Sequence, residues 1–206
     1  HIAFEHDSSI GTYGIEIVSA PHTKDGFYEM DWAKLLETCK EYGYKSHDGG
    51  LCGLHWHISA TMFGGTNERA EENIAKLVLF YDTYFEEFVK LSRRTTEQLH
   101  WCGSYGINNY CDYNFERAVE YSKNLVKQRG GDRYKAINLT NTYARCGEYG
   151  ENDNELKTVE FRINRGTLNV KTFYATIDII FNLVRNCKKM NWTLEDFSRE
   201  NVKKWF

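Results

Sequence analysis

Apolar positions along the chain fall into two rhythms. Over 54–59 and 158–163 they alternate strictly with polar ones, as in a strand that packs one face. Leu54, Trp56 and Ile58 point one way and His55, His57 and Ser59 the other; Val159, Phe161 and Ile163 oppose Thr158, Glu160 and Arg162. Residues 13–18 repeat the pattern with Glu16 opposite Ile15 and Ile17, and 136–140 makes a fourth strand. Elsewhere the period is helical. Trp32, Leu35, Leu36 and Cys39 form a stripe behind Asp31, a fitting N-cap. Ile74, Leu77, Val78, Tyr81, Phe85 and Phe88 keep helical spacing in one helix over 67–93, and another covers 114–127. The stretch 171–188 is apolar over a broad arc and should be well buried. Thr193 and Asp196 have capping-box spacing for a last helix, with Trp192 and Phe197 at staple positions. Together these elements predict an α+β fold: an antiparallel sheet, helices over one face, and His, Glu and Arg on the other.

Composition narrows the class. With 206 residues and a single proline, Pro21, the chain reads as one domain over 1–206 with no linker or repeat. The net charge of −3 gives no global basic field for nucleic acid or an anionic membrane, so neither is an expected partner. The most apolar stretch, 173–184, is interrupted by Asp178 and Asn182 and falls short of a membrane span. Cysteines at 39, 52, 102, 111, 146 and 187 include no CxxC pair, which argues against a zinc ribbon. They read as packed thiols of a reducing compartment, and a cytoplasmic protein is expected. The sequons at Asn138 and Asn191 read as chance matches. Many Asn, Lys and Tyr residues suggest an AT-rich phage or bacterial genome.

The polar face carries the chemistry. A sheet face turned to water is usually filled with Lys, Thr, Ser and mixed charge, whereas here it offers His-His-Ser, Glu-Arg and Glu. His55 and His57 lie about 6.5–7 Å apart along one face, close enough to share a transition metal or to divide between a metal and a phosphate. Glu160 and Arg162 have the same spacing with opposite charge. They can form an ordinary ion pair, or hold Mg²⁺ on the carboxylate and a phosphate on the guanidinium. Metal, acid and fixed cation together are what phosphoryl transfer requires. Three further features are candidates. Arg93-Arg94 ends the long helix and can cap it or reach a phosphate. The pairs Gly49-Gly50, Gly64-Gly65 and Gly130-Gly131 are turns or site loops, and Cys52 or Cys146 could serve as a nucleophile.

Four blocks, in order, resemble the amidoligase family of phages and bacteria, within the glutamine synthetase-like carboxylate–amine ligases. Gly53-Leu54-His55-Trp56-His57-Ile58-Ser59 is similar to the superfamily's Gly-x-His-x-His-x-Ser signature. Thr158-Val159-Glu160-Phe161-Arg162, followed by Gly166-Thr167-Leu168, resembles the family's Glu-Phe-Arg strand. Glu5-His6-Asp7-x-Ser9 with Gly14-Ile15-Glu16-Ile17-Val18-Ser19 resembles its opening block, and Arg133-Tyr134-Lys135-Ala136-Ile137-Asn138-Leu139 its Arg-Tyr-x-x-Leu-Asn strand. The resemblance implies a glutamine synthetase-like catalytic fold. It also implies an ATP- and Mg²⁺-dependent reaction in which a carboxylate is phosphorylated and an amine attacks the acyl-phosphate. Glu16 and Asp7 would bind one Mg²⁺, and His55 and Glu160 a second. His57 would touch the ATP phosphates, and Arg162 and Arg133 would neutralise the transferring group. Substrates would be a small-molecule or peptide carboxylate and an amine. The family's usual first strand, Gly-x-Glu-x-Glu, has no counterpart before Glu5, so that strand is expected to lie ahead of His1 in the natural protein. Two other readings stay open: a phosphotransferase to a guanidino or other nitrogen group, and a metal- or nucleotide-binding module without turnover.

Overall fold

The computed structural model describes residues 1–128, 132–142 and 157–203; Gly130-Gly131 and Cys146 lie outside them. Contacts divide the chain into two units, His1–Gly53 with Arg165–Tyr174, and Leu54–Asn164 with Ala175–Phe206. Helices alternate with small antiparallel sheets, in keeping with the α+β pattern. Among the described residues no helix is long and apolar enough to cross a membrane.

In the first unit, strands β1 (Ile2–His6) and β2 (Ile15–Ser19) form an antiparallel hairpin. The connection is tight: a Cβ on Gly14 would come 2.3 Å from the Asp7 carbonyl, so only glycine fits there. Phe4 opposes Ile17 across the hairpin and remains 61 % exposed. Helices α1 (Lys24–Glu29) and α2 (Trp32–Glu41) follow. Asp31 caps α2 as its sequence position predicts, accepting a hydrogen bond from the Lys34 amide at 3.0 Å. Phe27, Trp32 and Phe173 close the unit's core as a ring cluster, and the Trp32 indole donates to the Phe27 carbonyl at 2.8 Å.

The second unit holds a three-stranded antiparallel sheet with β5 (Thr158–Phe161) between β3 (Trp56–Ser59) and β4 (Ile137–Asn138). Val159, Phe161 and Ile163 are buried, as their alternation predicts. Helix α3 (Asn67–Thr83) is the unit's central helix, and Tyr81 on it meets Phe161 edge-on at 6.2 Å. The helix expected over 67–93 is two helices, α3 and α4 (Phe85–Ser92), which meet at Tyr84. Helical periodicity runs on through that point. The Tyr84 hydroxyl donates to the Phe197 carbonyl at 2.6 Å, and Tyr81 stacks on Phe88 at 3.7 Å, contacts to which local spacing is blind. Helices α5 (Ile107–Tyr110) and α6 (Phe115–Lys127) pack on α3, and α7 (Val170–Cys187) continues into this unit from Ala175. The Thr193–Asp196 spacing produces a turn, with the short helix α8 (Arg199–Val202) only after it. The Asp196 carboxylate accepts from the Asn191 amide at 2.6 Å instead of returning to the cap residue.

Candidate active site

The register of the sheet builds the site. β3 and β5 pair with His57 opposite Glu160, and β4 and β5 pair with Asn138 opposite Glu160. One row across three strands thus reads His57, Glu160, Asn138. Two residues along, on the same face, come His55 and Arg162, because strand side chains alternate. The Arg162 amide donates to the Ala136 carbonyl at 2.8 Å, which extends the pairing past the end of β5.

Glu160 is the hub, and it is only 4 % exposed. Its Oε1 accepts from Arg162 Nη1 at 2.6 Å and lies 3.3 Å from His55 Nδ1 and 3.8 Å from His57 Nε2. Its Oε2 accepts from Asn138 Nδ2 at 2.7 Å. Asn138 is itself fixed, since its Oδ1 accepts from the Thr140 amide at 2.9 Å. The two sides of the face differ in access. Arg162 is 7 % exposed, whereas the His57 side chain is 48 % exposed. The Glu160–Arg162 pair is therefore a buried ion pair and not the solvent-facing one that a polar strand face suggests. Sequon Asn138 is buried inside the cluster, out of reach of any modifying enzyme.

Burial pushes the His55 pKa down to about 4, helped by the Arg162 guanidinium and then opposed by the Glu160 carboxylate; Arg94 and His57 lower it further. His55 is therefore a neutral imidazole at physiological pH, with a lone pair to offer. The sign for stability follows. The unfolded chain binds this proton more readily, so His55 favours the fold above about pH 6.5 and this contribution is lost as pH falls from there towards 4. The His55 ring protons, followed by NMR, should titrate near pH 4, and Arg162→Met should move that midpoint upward.

Of the other expected site residues, Glu16 and Asp7 belong to the first unit and Arg133 to the second. Glu16 is exposed on β2 directly opposite Glu5, in the first unit. Asp7, also in that unit, accepts from the Ser9 amide at 2.9 Å. Arg133 is exposed, its guanidinium 5.5 Å from the Tyr134 ring centre, and it makes no contact with the Glu160 cluster among the described residues. Burial, and next the Asp7 charge, raise the Cys52 pKa, the wrong direction for a nucleophilic thiolate. Gly64 packs against the start of α3, where a Cβ would lie 2.6 Å from the Ala70 amide nitrogen, so it serves close packing, while Gly65 borders open space.

No family model, curated protein or solved structure matches this chain.

Glu160 and the neutral His55 are the cluster's two groups that could donate to a cation; the carboxylate is a hard donor of the kind Mg²⁺ takes, whereas an imidazole is the softer type. Among the described residues no group of three or more His, Cys, Asp or Glu side chains is placed to hold an ion unaided. Two residues to which pattern reading gives no role beside Glu160 take part in the arrangement. Asn138 sits in the expected 136–140 strand, but only the β4–β5 register brings it to Glu160. Arg94, expected at a helix end, bonds the backbone beside Arg162.

Proposed function

We propose that this chain is the catalytic part of an ATP-dependent carboxylate–amine ligase with a glutamine synthetase-like fold, related to the phage and bacterial amidoligases. The observation that carries this reading is the convergence on Glu160. Three of the four sequence blocks, distant along the chain, supply His55 and His57, Asn138, and Glu160 with Arg162 to one cluster. A buried ion pair adds little net stability against a well-packed apolar pair, so its presence is better accounted for by chemistry.

In the first step a substrate carboxylate oxygen attacks the γ-phosphorus of ATP, the bond to the bridging oxygen breaks, and ADP leaves. In the second an amine attacks the acyl carbon, loses a proton, and phosphate departs with the electrons of the C–O bond. The half-exposed His57 offers its Nε2 to a phosphate oxygen. Arg162, buried in its pair with Glu160, would act on the charge that spreads over the transferring group through its field and not by direct contact. Asn138 holds the Glu160 carboxylate in one orientation, and neutral His55 keeps a donor nitrogen free. Mg²⁺, when bound at Glu160 and His55, would neutralise phosphate oxygens during the transfer.

Calorimetry of the chain with ATP, with and without Mg²⁺, tests the site, beside Glu160→Gln and His57→Ala. His57→Ala alters an exposed side chain and should leave the fold intact. Mg²⁺-dependent binding, weakened at least about tenfold in both variants, is the expected result. ADP release that requires both a carboxylate and an amine would support the ligase reaction. ADP release with a guanidino acceptor alone would favour the phosphotransferase reading, binding without turnover the binding module, and absence of ATP binding would overturn the proposal.

A further inference from the structure

We infer that Arg94 is a positioning residue, whose guanidinium clamps the main chain leaving β5 and thereby aims Arg162 at Glu160; its functional consequence rests on the ligase reading. The strand ends at Phe161, so Arg162 lies one residue past it, where its amide bonds the Ala136 carbonyl just ahead of β4 and the Leu54 amide bonds the Asn164 carbonyl at 2.9 Å. Arg94 adds the anchor on the intervening carbonyls. Its Nε donates to the Ile163 carbonyl at 2.8 Å, and its Nη2 donates to the carbonyls of Arg162 and Asn164 at 3.2 and 3.1 Å. The Arg162 residue is thus fixed at its amide by Ala136 and at its carbonyl by Arg94. Its side chain needs that support, because Nε of Arg162 is buried and has no hydrogen-bond partner among the described residues.

The local sequence is arranged to deliver this fork. Arg93 caps α4 in the left-handed conformation, with φ of 57°, and that reversal redirects the chain just before Arg94. A planar guanidinium meets the three carbonyls as a rigid fork from two nitrogens, whereas an ammonium offers its three donors from a single point on a flexible stem. A merely structural tie could use a neutral side chain. Burial disfavours the Arg94 cation, and so does the like charge of Arg162, costs that a neutral tie would not carry.

The test uses the full chain carrying Arg94→Lys, which keeps the charge and loses the fork, with Arg185→Ala on the exposed face of α7 as control. Hydrogen exchange by NMR at the Arg162 Nε–H and Arg162 amide should accelerate at least about tenfold in Arg94→Lys, while the amides of Leu77 and Phe80 in α3 change less than about twofold. ADP formation should lose at least about tenfold in kcat with the KM for ATP nearly unchanged, because Arg94 does not touch the nucleotide. Unchanged exchange at Arg162, or an acceleration shared equally by α3, overturns the proposal, as does a rise in KM at constant kcat. If the parent chain forms no ADP, the ligase reading falls, and the exchange pattern alone decides the clamp.

Discussion

Arg162→Met should destabilise the second unit by about 3–5 kcal/mol, because it leaves the Glu160 carboxylate buried without its main cation. Glu160→Leu should cost a similar amount by stranding Arg162. The double variant should recover most of the loss, since a packed apolar pair in place of a buried ion pair is often near neutral. It should nonetheless bind no ATP. Urea unfolding of the two single variants and the double variant measures the coupling directly. The pH dependence gives a second check. Arg162 and burial keep His55 neutral, while Glu160 favours its charged form. Without Arg162 the ring is freer to take a proton and replace the lost cation, so the penalty of Arg162→Met should be smaller at pH 5 than at pH 8. An equal penalty at both values would mean that His55 is not electrically coupled to the pair.

Asp82→Ala should be nearly as damaging, although no catalytic role attaches to Asp82. Its Oδ1 accepts from the amides of Tyr105 and Gly106 at 2.6 and 3.2 Å, and its Oδ2 from Ile107 at 2.6 Å. Two main-chain donors at the start of α5, Tyr105 and Ile107, would lose their acceptor together, while Gly106 keeps the Ser104 hydroxyl at 2.9 Å, at an expected cost of about 2–4 kcal/mol. Asp82→Asn retains one acceptor oxygen and turns an amide donor towards the remaining N–H groups, so it should recover only a minor part. The disturbance should also spread. The segment that Asp82 fixes continues back through Ser104 and Gly103, and Gly103 exchanges hydrogen bonds with Tyr134 and Ala136 on the approach to β4. Denaturant unfolding would give the cost, and exchange at the Ala136 amide would show whether the loss reaches the strand that carries Asn138.

These expectations separate what can be read along the chain from what cannot. Alternation at 54–59 and 158–163 assigned the strands and the side of each to which His55, His57, Glu160 and Arg162 belong, because a strand's period is a local property. Asp31 as the cap of α2 was legible for the same reason: a cap bonds an amide three residues away. The break at Tyr84 was not legible, since helical spacing runs straight through it while the Tyr84 hydroxyl bonds the Phe197 carbonyl from a segment far along the chain. Nor was the exposure of Arg133 beside the Tyr134 ring.

The candidate site divides along the same line. Sequence alone determined the chemical inventory: two histidines on one strand face, an acid and a guanidinium on another. Tertiary structure decided that these strands are neighbours in the register that places His57 and Asn138 on either side of Glu160. It also decided that the Glu160–Arg162 pair is buried while His57 stays accessible, and that Arg94 holds the chain beside Arg162. Period and capping arise from bonds within a few residues. Register, burial and the partners of a buried charge are set by segments that meet only when the chain folds, and no local pattern encodes which segments those are.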